Sequence, residues 1–268
     1  MSVDRDMVSL DQRALRDGQT SPTATSPAPD GGASALSAAL RADGFVHVSG
    51  ERMCALAGPR VVAAWDAFAA SWDGMALDRH MADGGRYRRR RHAILSARAT
   101  QPGLIRETDG PHWQSVRHNT LNGGIERFFE PIPTGITGGD AFQGIASLAR
   151  TVFDAIDPGQ DWRVEAHQFR IEAQLGTSGR PTPEGMHRDG VDWVLVLLIA
   201  RLNVSAGVTE IAAPDGRMLG AFTLAAPMDA VLLDDRRILH GVTPVLPVDP
   251  AMPACRDVLV LTFAGQRA

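Results

Sequence analysis

From about residue 160 to the C-terminus, apolar residues stand in short runs separated by turns rich in Gly, Pro and Asp. Runs of this length, bounded by turn residues at both ends, are typical of β-strands. Their close spacing predicts a β-sandwich or barrel of the jelly-roll kind, a double-stranded β-helix. The seven runs are WRVEAHQFRIEAQ, DWVLVLLIARLNV, VTEIAA, RMLGAFTL, DAVLLDD, RILHGVTPV and RDVLVLTFAG.

The N-terminal half has a different pattern, in which apolar residues recur at helical spacing. SALSAALRADG predicts a short helix with a serine N-cap that ends at Gly44, followed by a strand, FVHVSG. Pro59 opens a second predicted helix, PRVVAAWDAFAASW, whose large apolar residues share one face. The predicted fold class is therefore α+β but mainly β, with a helical N-terminal layer packed on a jelly-roll.

A change in composition separates an arm from the folded domain. Residues 17–34, DGQTSPTATSPAPDGGAS, contain almost only Pro, Gly, Ser, Thr, Ala and Asp. Such a segment cannot bury enough apolar surface to offset the entropy lost on ordering. We predict a flexible arm over residues 1–33 and one domain over residues 34–268. Within the domain, residues 34–160 form the helical layer and covering loops, and residues 161–268 form the jelly-roll core.

Composition and charge exclude several classes of protein. With 44% hydrophobic and 22% charged residues and a formal net charge of -4, the 268-residue chain offers no overall attraction to nucleic acid or anionic lipid. Two cysteines, Cys54 and Cys255, are too few for a disulfide framework and indicate a reducing cytoplasm. The charged start is unlike a secretory signal, and no apolar run is long enough to span a membrane. We expect a cytoplasmic protein without a nucleic-acid or membrane partner.

The segment PEGMHRDGVDW places His187 and Asp189 two residues apart, directly before an apolar run. Side chains at this spacing in an extended segment point to the same side and can share one ion. The spacing alone is weak evidence, because the same two residues also suit a loop in which they are solvated or paired with Arg188. Both interpretations stay open on these residues.

His240 supplies a third candidate ligand, because LLDDRRILHGVTPV places it at the end of an apolar strand. Two histidines and one carboxylate on one face of an octahedral ion leave adjacent positions for a bidentate oxoacid and O2, as non-haem Fe(II) oxygenases require. A closed structural zinc site would need four protein ligands, usually with thiolates, and no cysteine lies near. Asp234 and Asp235 either hydrogen-bond the His240 ring or form the turn before it.

Arg256 stands further along, at the start of the last strand in CRDVLVLTF. Its forked guanidinium is suited to hold the distal carboxylate of 2-oxoglutarate. The alternative is an arginine at a strand edge that pairs with Asp257 or with solvent.

Taken together, these motifs resemble bacterial 2-oxoglutarate/Fe(II)-dependent dioxygenases that include free L-amino-acid hydroxylases of the isoleucine 4-hydroxylase type. The resemblance rests on GGIERFFEPI, HQFRIEA, PTPEGMHRDGVDWVLVLLIAR, LLDDRRILHGVTPV and RDVLVLTF, and it covers most of residues 85–265. It implies that the two histidines and the aspartate described above are iron ligands and that Arg256 binds 2-oxoglutarate. Ala206, in NVSAGVTEI, stands where this family leads us to expect a second glycine, and its methyl group could tighten the barrel mouth.

The resemblance also implies a reaction. Family members use Fe(II), O2 and 2-oxoglutarate, form succinate and CO2, and hydroxylate an unactivated side-chain carbon of a free L-amino acid, aliphatic or cyclic. The alternatives are the same chemistry on a carrier-bound or peptide substrate in secondary metabolism, and a non-catalytic cupin-like module that binds metal or a small acid. A nucleic-acid demethylase would need a basic groove with stacking aromatics, which a negatively charged chain with one tyrosine does not offer.

One strand offers two candidates for substrate contact. Gln168 and Arg170 lie on the same side of WRVEAHQFRIEA, and if that side faces the barrel interior, Arg170 can hold a carboxylate. If it does not, His167, Phe169 and Ile171 face inward instead.

Two polar segments remain. HWQSVRHNTLNGGIERFF offers Gln114, Asn119 and Asn122 as substrate contacts, although short polar loops often satisfy only themselves. The run RYRRRRH, at residues 86–92, is typical of a solvated surface, and without a second basic and aromatic patch it is weak evidence for nucleic-acid binding. One of its arginines could still reach the mouth of the site and meet an acidic substrate.

Overall fold

A computed structural model of the protein describes residues 32–119, 121 and 123–266. Residues 1–31 of the predicted arm therefore lie outside the described part. No helix within the described part is both long and apolar enough to cross a membrane. The helices are α1 (Ala33–Asp43), α2 (Gly50–Ala57), α3 (Pro59–Ala63), α4 (Trp65–Ala69), α5 (Thr134–Thr137) and α6 (Asp140–Asp154), with a 3-10 turn at Ala70–Trp72.

Two of the predicted helices differ in detail from the structure. Helix α1 begins at Ala33 with Gly32 at its N-cap, where a serine was predicted, and glycine is nearly as well tolerated at that position. The helix predicted from Pro59 is divided, because the backbone at Ala64 (φ -92, ψ 0) departs from the regular α-helical path and α4 starts again at Trp65.

The strands form one large sheet and two small ones. They are β1 (Phe45–Val48), β2 (Arg88–Ala97), β3 (Ile105–Arg106), β4 (Glu130–Pro131), β5 (Trp162–Ala173), β6 (Trp193–Leu202), β7 (Val204–Ala206), β8 (Thr209–Ala212), β9 (Met218–Phe222), β10 (Ala230–Asp234), β11 (Leu239–Val242), β12 (Val245–Pro247) and β13 (Ala254–Gly265). The large sheet has eight strands in the order β1-β10-β6-β13-β5-β2-β3, with β4 paired to β2. Neighbours along this order are antiparallel.

The two small sheets are β11-β8-β9 and β12-β7, and residues of both pack against the large sheet. Ile211 and Phe222 of the three-stranded sheet share a core with Val194, Leu198 and Val258 of the large one. The fold is thus mixed α and β with most residues from β5 onward in strands, and antiparallel sheets packed in this way are consistent with a jelly-roll.

The helices pack on the opposite side of the large sheet. Leu36 of α1 and Phe142 of α6 are fully buried in a second core together with Leu195 and Leu261 of the central strands. Leu195 follows Val194 directly in β6, and neighbouring residues of a strand point to opposite faces, so the large sheet separates the two cores.

Strand β2 was not predicted, because it carries the basic run. Arg88 and Arg90 are buried on one face of the strand, while Arg89 and Arg91 are half-buried on the other. A run of arginines has no hydrophobic period, so its alternation cannot be seen in the sequence. The expectation of a solvated surface is therefore wrong for the two buried arginines.

Candidate metal centre and substrate cavity

A cavity of about 400 Å³ is lined by strands of the large sheet and by β11 of the three-stranded sheet. His187, Asp189 and His240 meet in its wall, and one possible ligand atom from each lies within 4.8 Å of the others. We refer to these three residues as the metal triad. The structure thus brings together the three candidate ligands that the sequence analysis named.

The backbone places the two histidines of the triad side by side. His187 and His240 exchange two backbone hydrogen bonds, each 3.0 Å long, and their ring centroids lie 4.5 Å apart. Asp189 follows on the same segment as His187, just before β6. The pairing of this segment with β11 therefore assembles the triad.

The atoms that face one another in the triad suit a divalent cation. Asp189 Oδ1 lies 3.7 Å from His187 Nε2, and Asp189 Oδ2 lies 3.4 Å from His240 Nε2. His187 Nδ1 donates to the carbonyl oxygen of Gly185 at 3.0 Å, which leaves a lone pair on Nε2. His240 Nε2 is buried and has no hydrogen-bond partner among the described residues. A metal ion would satisfy such a buried ring nitrogen.

One carboxylate between two rings sets the charge of the triad. Burial lowers the pKa of His240, but Asp189 and Asp235 outweigh burial and raise it to about 10. Burial and the second ring likewise lower the pKa of His187, yet Asp189 and Glu184 raise it above its usual value. Burial raises the pKa of Asp189, but the two rings hold it well below its usual range. The acidic groups therefore favour positive charge at this point, as a cation site requires.

Asp235 anchors the backbone of the segment that carries His187 and Asp189. Its buried carboxylate accepts hydrogen bonds from the backbone amides of residues 189–191 at 2.9, 2.7 and 3.1 Å. The sequence analysis offered Asp234 and Asp235 as partners of the His240 ring. Asp235 lies 3.7 Å from His240 Nε2 but bonds to the backbone, and Asp234 pairs with Arg236 at 3.0 Å.

Glu184 is a candidate that the sequence analysis missed. Its Oε1 atom lies 3.5 Å from His187 Nε2, and its Oε2 atom is buried without a hydrogen-bond partner among the described residues. It precedes His187 by three residues in the segment PEGMHRD, so its place on the ligand segment was the available signal. Its position adds a negative charge beside the ring nitrogen that faces the centre of the triad.

Arg256 lines the same cavity and is 1% exposed. Its Nε and Nη2 atoms are buried and have no hydrogen-bond partner among the described residues. Asp257, the alternative partner, is bound by Arg170 at 2.9 and 2.8 Å instead. Burial, followed by the charge of Arg201, lowers the pKa of Arg256 to about 10, which leaves it charged at neutral pH. A buried cation of this kind is suited to an anionic ligand.

Arg170 and Gln168 lie on the face of β5 that points away from the cavity. Arg170 pairs with Asp257 and, at 3.1 Å, with Asp73, and Gln168 donates to Ser71 Oγ at 2.8 Å. The odd-numbered residues of β5 line the cavity. Arg170 therefore does not face the barrel interior, where it could have held a substrate carboxylate. Its guanidinium is held by ion pairs with Asp73 and Asp257 on the other face of the strand.

The covering segment contributes Gln114 and Asn119 to the cavity wall, and Asn122 lies outside the described residues. Gln114 Nε2 donates to both the carbonyl oxygen and Oδ1 of Asp189, each at 3.3 Å. Gln114 Oε1 accepts hydrogen bonds from Asn119 at 3.1 Å and from Arg127 at 3.0 Å. Gln114 therefore links the carboxylate of the triad to the segment that covers it.

A second group of imidazoles and a carboxylate lies beside the cavity. His92, His112, Glu165 and His167 each offer one atom within 4.8 Å of the others. Glu165 Oε2 accepts a hydrogen bond from His112 Nδ1 at 2.6 Å and one from His92 Nε2 at 3.1 Å. We refer to these four residues as the histidine–glutamate cluster. The sequence analysis missed it because its members come from three distant segments.

Burial keeps the rings of the histidine–glutamate cluster neutral. It lowers the pKa of His112 to about 4, with Arg90 adding to the effect, and it lowers the pKa of His92 and of His167 as well. Burial raises the pKa of Glu165, but hydrogen bonds from the rings outweigh it and hold that pKa below its usual value. The cluster is therefore an ionised carboxylate surrounded by neutral donors.

Ala206 has a positive φ of 58°, the left-handed conformation that glycine adopts without strain. This explains why a glycine was expected at the position. The methyl group of Ala206 is exposed, so it does not tighten the mouth of the barrel.

Residues 69–262 match the sequence model of the 2OG-Fe dioxygenase family, and this span contains the metal triad and Arg256. The chain belongs to the 2OG-Fe dioxygenase family. The resemblance inferred from the sequence is thereby confirmed. Membership implies Fe(II), 2-oxoglutarate and O2, and the two imidazoles and one carboxylate of the triad are the donor set that non-haem iron takes in such enzymes.

Individual relatives of this dioxygenase support the same assignment. The 3(1)-hydroxy-L-isoleucine 4-dioxygenase of Pantoea ananatis (strain AJ13355) is 29% identical over 157 residues, which are 57% of this chain and 63% of that protein. The match thus spans less than two thirds of the relative. A solved bsmA homologue from Methylobium petroleophilum PM1 is 38% identical, with a TM-score of 0.79 over 87% of this chain and 93% of that one. IDO from Bacillus thuringiensis shares the fold at 20% identity, with a TM-score of 0.72 over 87% of this chain and 98% of its own.

Proposed function

We propose that this protein is an Fe(II)/2-oxoglutarate-dependent dioxygenase that hydroxylates an unactivated side-chain carbon of a free L-amino acid, aliphatic or cyclic, with formation of succinate and CO2. The observation that carries the proposal is one cavity that contains both the metal triad and the guanidinium of Arg256, whose Nε and Nη2 atoms have no partner among the described residues. A cation site next to a buried anion-binding arginine suits an oxoacid that reaches both.

In this proposal the two histidine rings and the Asp189 carboxylate of the metal triad would hold the iron. When bound, the iron supplies the oxidising chemistry together with 2-oxoglutarate and O2. The protein supplies the geometry. Asp235 fixes the backbone of the ligand segment, and the carbonyl group of Gly185 fixes the His187 ring with Nε2 toward the centre.

Arg256 binds the distal carboxylate of 2-oxoglutarate in this account. Val258 and Val260 follow it at alternate positions of β13 and line the cavity, so the carbon chain of the cosubstrate lies against an apolar wall. Apolar walls also exclude water from the reacting groups and strengthen the electrostatic interactions between them.

The space that remains suits a small amino acid. Apolar residues such as Val191 and Val196 line the cavity next to the triad and offer a wall for an aliphatic side chain. A cavity of about 400 Å³ lies at the lower end of the range for small-molecule sites. The Pantoea ananatis relative is named as acting on a hydroxylated L-isoleucine, which supports a substrate of this class.

Succinate release tests the proposal. The protein is incubated with Fe(II), ascorbate, 2-oxoglutarate and air, together with each member of a panel of free L-amino acids that includes cyclic ones, and Asp189→Ala serves as the control. We expect succinate to rise with one or a few members, alongside a product heavier by one oxygen atom. Bound iron without stimulation by any free amino acid would move the substrate to a carrier or peptide. Binding of iron and 2-oxoglutarate without any succinate under any condition would identify a binding module.

A further inference from the structure

Two arginines face the cavity from walls other than that of Arg256, and neither forms an ion pair with a carboxylate within the described part of the chain. We propose that Arg90 and Arg127 bind the α-carboxylate of the substrate, and that His112, oriented by Glu165, accepts a hydrogen bond from its α-ammonium group. This inference rests on the proposed function, because it assigns the substrate end of the same cavity.

The guanidinium of Arg90 is buried, and the residue lines the cavity. The residue is 4% exposed, and its guanidinium carbon lies 4.0 Å from the ring centroid of Phe129 and 4.7 Å from that of Phe169. Arg90 Nη2 donates to His167 Nδ1 at 3.0 Å, and Nε has no partner among the described residues. Because aromatic rings lie against the guanidinium of Arg90, a ligand can reach this group only through hydrogen bonds from its edge.

Arg127 is the second buried guanidinium and is 1% exposed. Its Nη2 atom donates to Gln114 Oε1 at 3.0 Å, and its Nε atom has no partner among the described residues. The nearby carboxylate of Asp78 is already paired with Arg88 at 2.7 Å. Burial, followed by repulsion from Arg88, lowers the pKa of both Arg90 and Arg127, and the carboxylates of Asp78 and Glu165 do not offset it, so each cation still needs a compensating negative charge. A carboxylate placed between them would supply that charge.

His112 offers an acceptor next to these cations. Glu165 is ionised, with Oε2 bound to His112 Nδ1 at 2.6 Å and Oε1 bound to Arg163 at 3.0 Å. Since a carboxylate only accepts, His112 Nδ1 carries the ring proton and Nε2 carries a lone pair. The backbones of His112 and Arg127 exchange hydrogen bonds of 2.9 and 3.0 Å, so their side chains are neighbours. An acceptor beside a guanidinium matches the ammonium and carboxylate groups that an α-amino acid carries on one carbon.

Gln114 fixes this pocket relative to the metal triad. One end of its side-chain amide accepts from Arg127 at 3.0 Å, and the other donates to Asp189 at 3.3 Å. A bound α-carboxylate therefore lies about one glutamine side chain away from the metal ligand, and the carbons beyond Cα reach toward the triad. The arrangement requires a free carboxylate, so it excludes an acyl group bound to a carrier.

A metal ion is the competing occupant of the histidine–glutamate cluster, whose atoms are close enough to hold one. Its hydrogen bonds oppose this, because two rings already donate to Glu165 and Arg90 donates to His167. The guanidinium groups of Arg90, Arg127 and Arg163 surround the cluster and repel a further cation. The balance of charge therefore favours a zwitterion over a metal.

Binding without turnover tests the inference. Protein loaded with Mn(II) and saturated with 2-oxoglutarate under argon is titrated with free L-amino acids by calorimetry, and the tightest ligand is compared with its own carboxamide. We expect the carboxamide to bind on the order of 100-fold more weakly, because it leaves two buried cations unpaired. Arg90→Met and Arg127→Met should each weaken the free acid by a similar factor. Arg89→Met, on the outward face of the same strand, is the matched control and should leave the dissociation constant unchanged.

The outcomes separate this inference from the proposed function. Equal binding of acid and carboxamide, in protein that releases succinate with the free acid, would overturn the inference and leave the function standing. No binding by any free amino acid would overturn both. The wild-type protein could instead bind a second equivalent of Mn(II) that is lost in Glu165→Gln but kept in Asp189→Ala. That result would show that the histidine–glutamate cluster is a metal site and would overturn the inference. The carboxamide comparison uses the unaltered protein, so it gives a result even if an arginine variant fails to fold.

Discussion

The metal triad and the histidine–glutamate cluster contain the same kinds of side chain but differ in charge. In the triad the carboxylate holds the pKa of both rings above the usual value for histidine, and that of His240 reaches about 10. In the cluster burial dominates, and the pKa of His112 falls to about 4. One group of rings thus attracts a cation, and the other stays neutral and donates to its own carboxylate.

The surroundings explain the difference. Glu184 and Asp235 add negative charge at the triad, whereas Arg90, Arg127 and Arg163 add positive charge at the cluster. In both groups the possible ligand atoms lie within 4.8 Å of one another, close enough to hold a metal ion. Proximity of possible ligand atoms is therefore not sufficient to identify a metal site. Ring protons and neighbouring charges determine what each group binds.

Removing the carboxylate from each group should have the largest effect, because only one of the two groups is expected to hold iron. Asp189→Ala is expected to weaken iron binding by more than about 100-fold, because it removes the one anionic ligand. Glu165→Gln should retain one equivalent of iron. Metal content after gel filtration measures both, and iron retained by Asp189→Ala or lost from Glu165→Gln would contradict the assignment.

Arg256→Met should separate metal binding from cosubstrate binding. The variant keeps the triad, so iron content is expected to stay unchanged, while the dissociation constant of 2-oxoglutarate rises on the order of 100-fold through loss of a buried charged partner. Titration of the Mn(II)-loaded protein with 2-oxoglutarate measures the effect. Arg201→Met, which removes the neighbouring cation outside the cavity lining, is the control. An unchanged affinity in Arg256→Met would exclude it as the anchor.

Asp235→Asn tests how the ligand segment is held. The two oxygens of the carboxylate accept three backbone hydrogen bonds from residues 189–191. An amide has only one acceptor oxygen, so it cannot replace all three. We expect metal affinity to fall about 10- to 100-fold, as is usual when the support of a ligand is removed. Competition with a chromogenic chelator gives the number. Wild-type affinity in the variant would show that the segment keeps its shape without this charge.

The pH dependence of unfolding reports on the neutral rings of the histidine–glutamate cluster. Because the pKa of His112 falls from 6.5 to about 4 on folding, the unfolded chain binds more protons between these values, and stability decreases as the pH falls through this window. Between pH 7 and pH 5 this one group is expected to cost about 2 kcal/mol of unfolding free energy. His112→Asn keeps a donor for Glu165 but does not titrate, so urea unfolding should show a correspondingly smaller loss. Equal losses in both proteins would count against a neutral, buried His112.

The smallest expected effect concerns the backbone. Ala206→Gly relieves the left-handed strain at φ 58°, partly offset by the greater entropy of glycine in the unfolded chain, for a net gain of about 0.5 kcal/mol. Gly207→Ala is the opposite test, because its new methyl carbon would lie 2.7 Å from Val245 Cγ1 at a φ of +70°. Thermal unfolding compares the two, and a loss of stability in Ala206→Gly would contradict the strain argument.

The fold could be predicted where apolar runs have a clear period and not elsewhere. The runs that became β5, β6 and β13 are recognisable because turn residues bound them and apolar side chains fill them. Strand β2 escaped prediction because arginines occupy both of its faces. The order of strands in the sheets depends on pairing between distant segments, which single-sequence patterns do not encode.

The candidate site, like the fold, could be predicted only in part from the sequence. His187, Asp189 and His240 could be named as ligands because they stand on motifs with recognisable spacing and turns, and their role stays a prediction until metal is bound. The histidine–glutamate cluster could not be named, because each segment contributes one or two polar residues that only tertiary pairing brings together. Arg90 was hidden in a run of like charges, although the chance that one arginine of the run reaches the site was anticipated.

Anomalous diffraction from crystals grown with Mn(II) and 2-oxoglutarate would show which of the two groups holds the metal. The account predicts one metal peak, among His187 Nε2, His240 Nε2 and the Asp189 carboxylate, with 2-oxoglutarate extending from it to Arg256. It also predicts no peak between His92, His112 and Glu165. A metal peak in the histidine–glutamate cluster, or none in the metal triad, would contradict it.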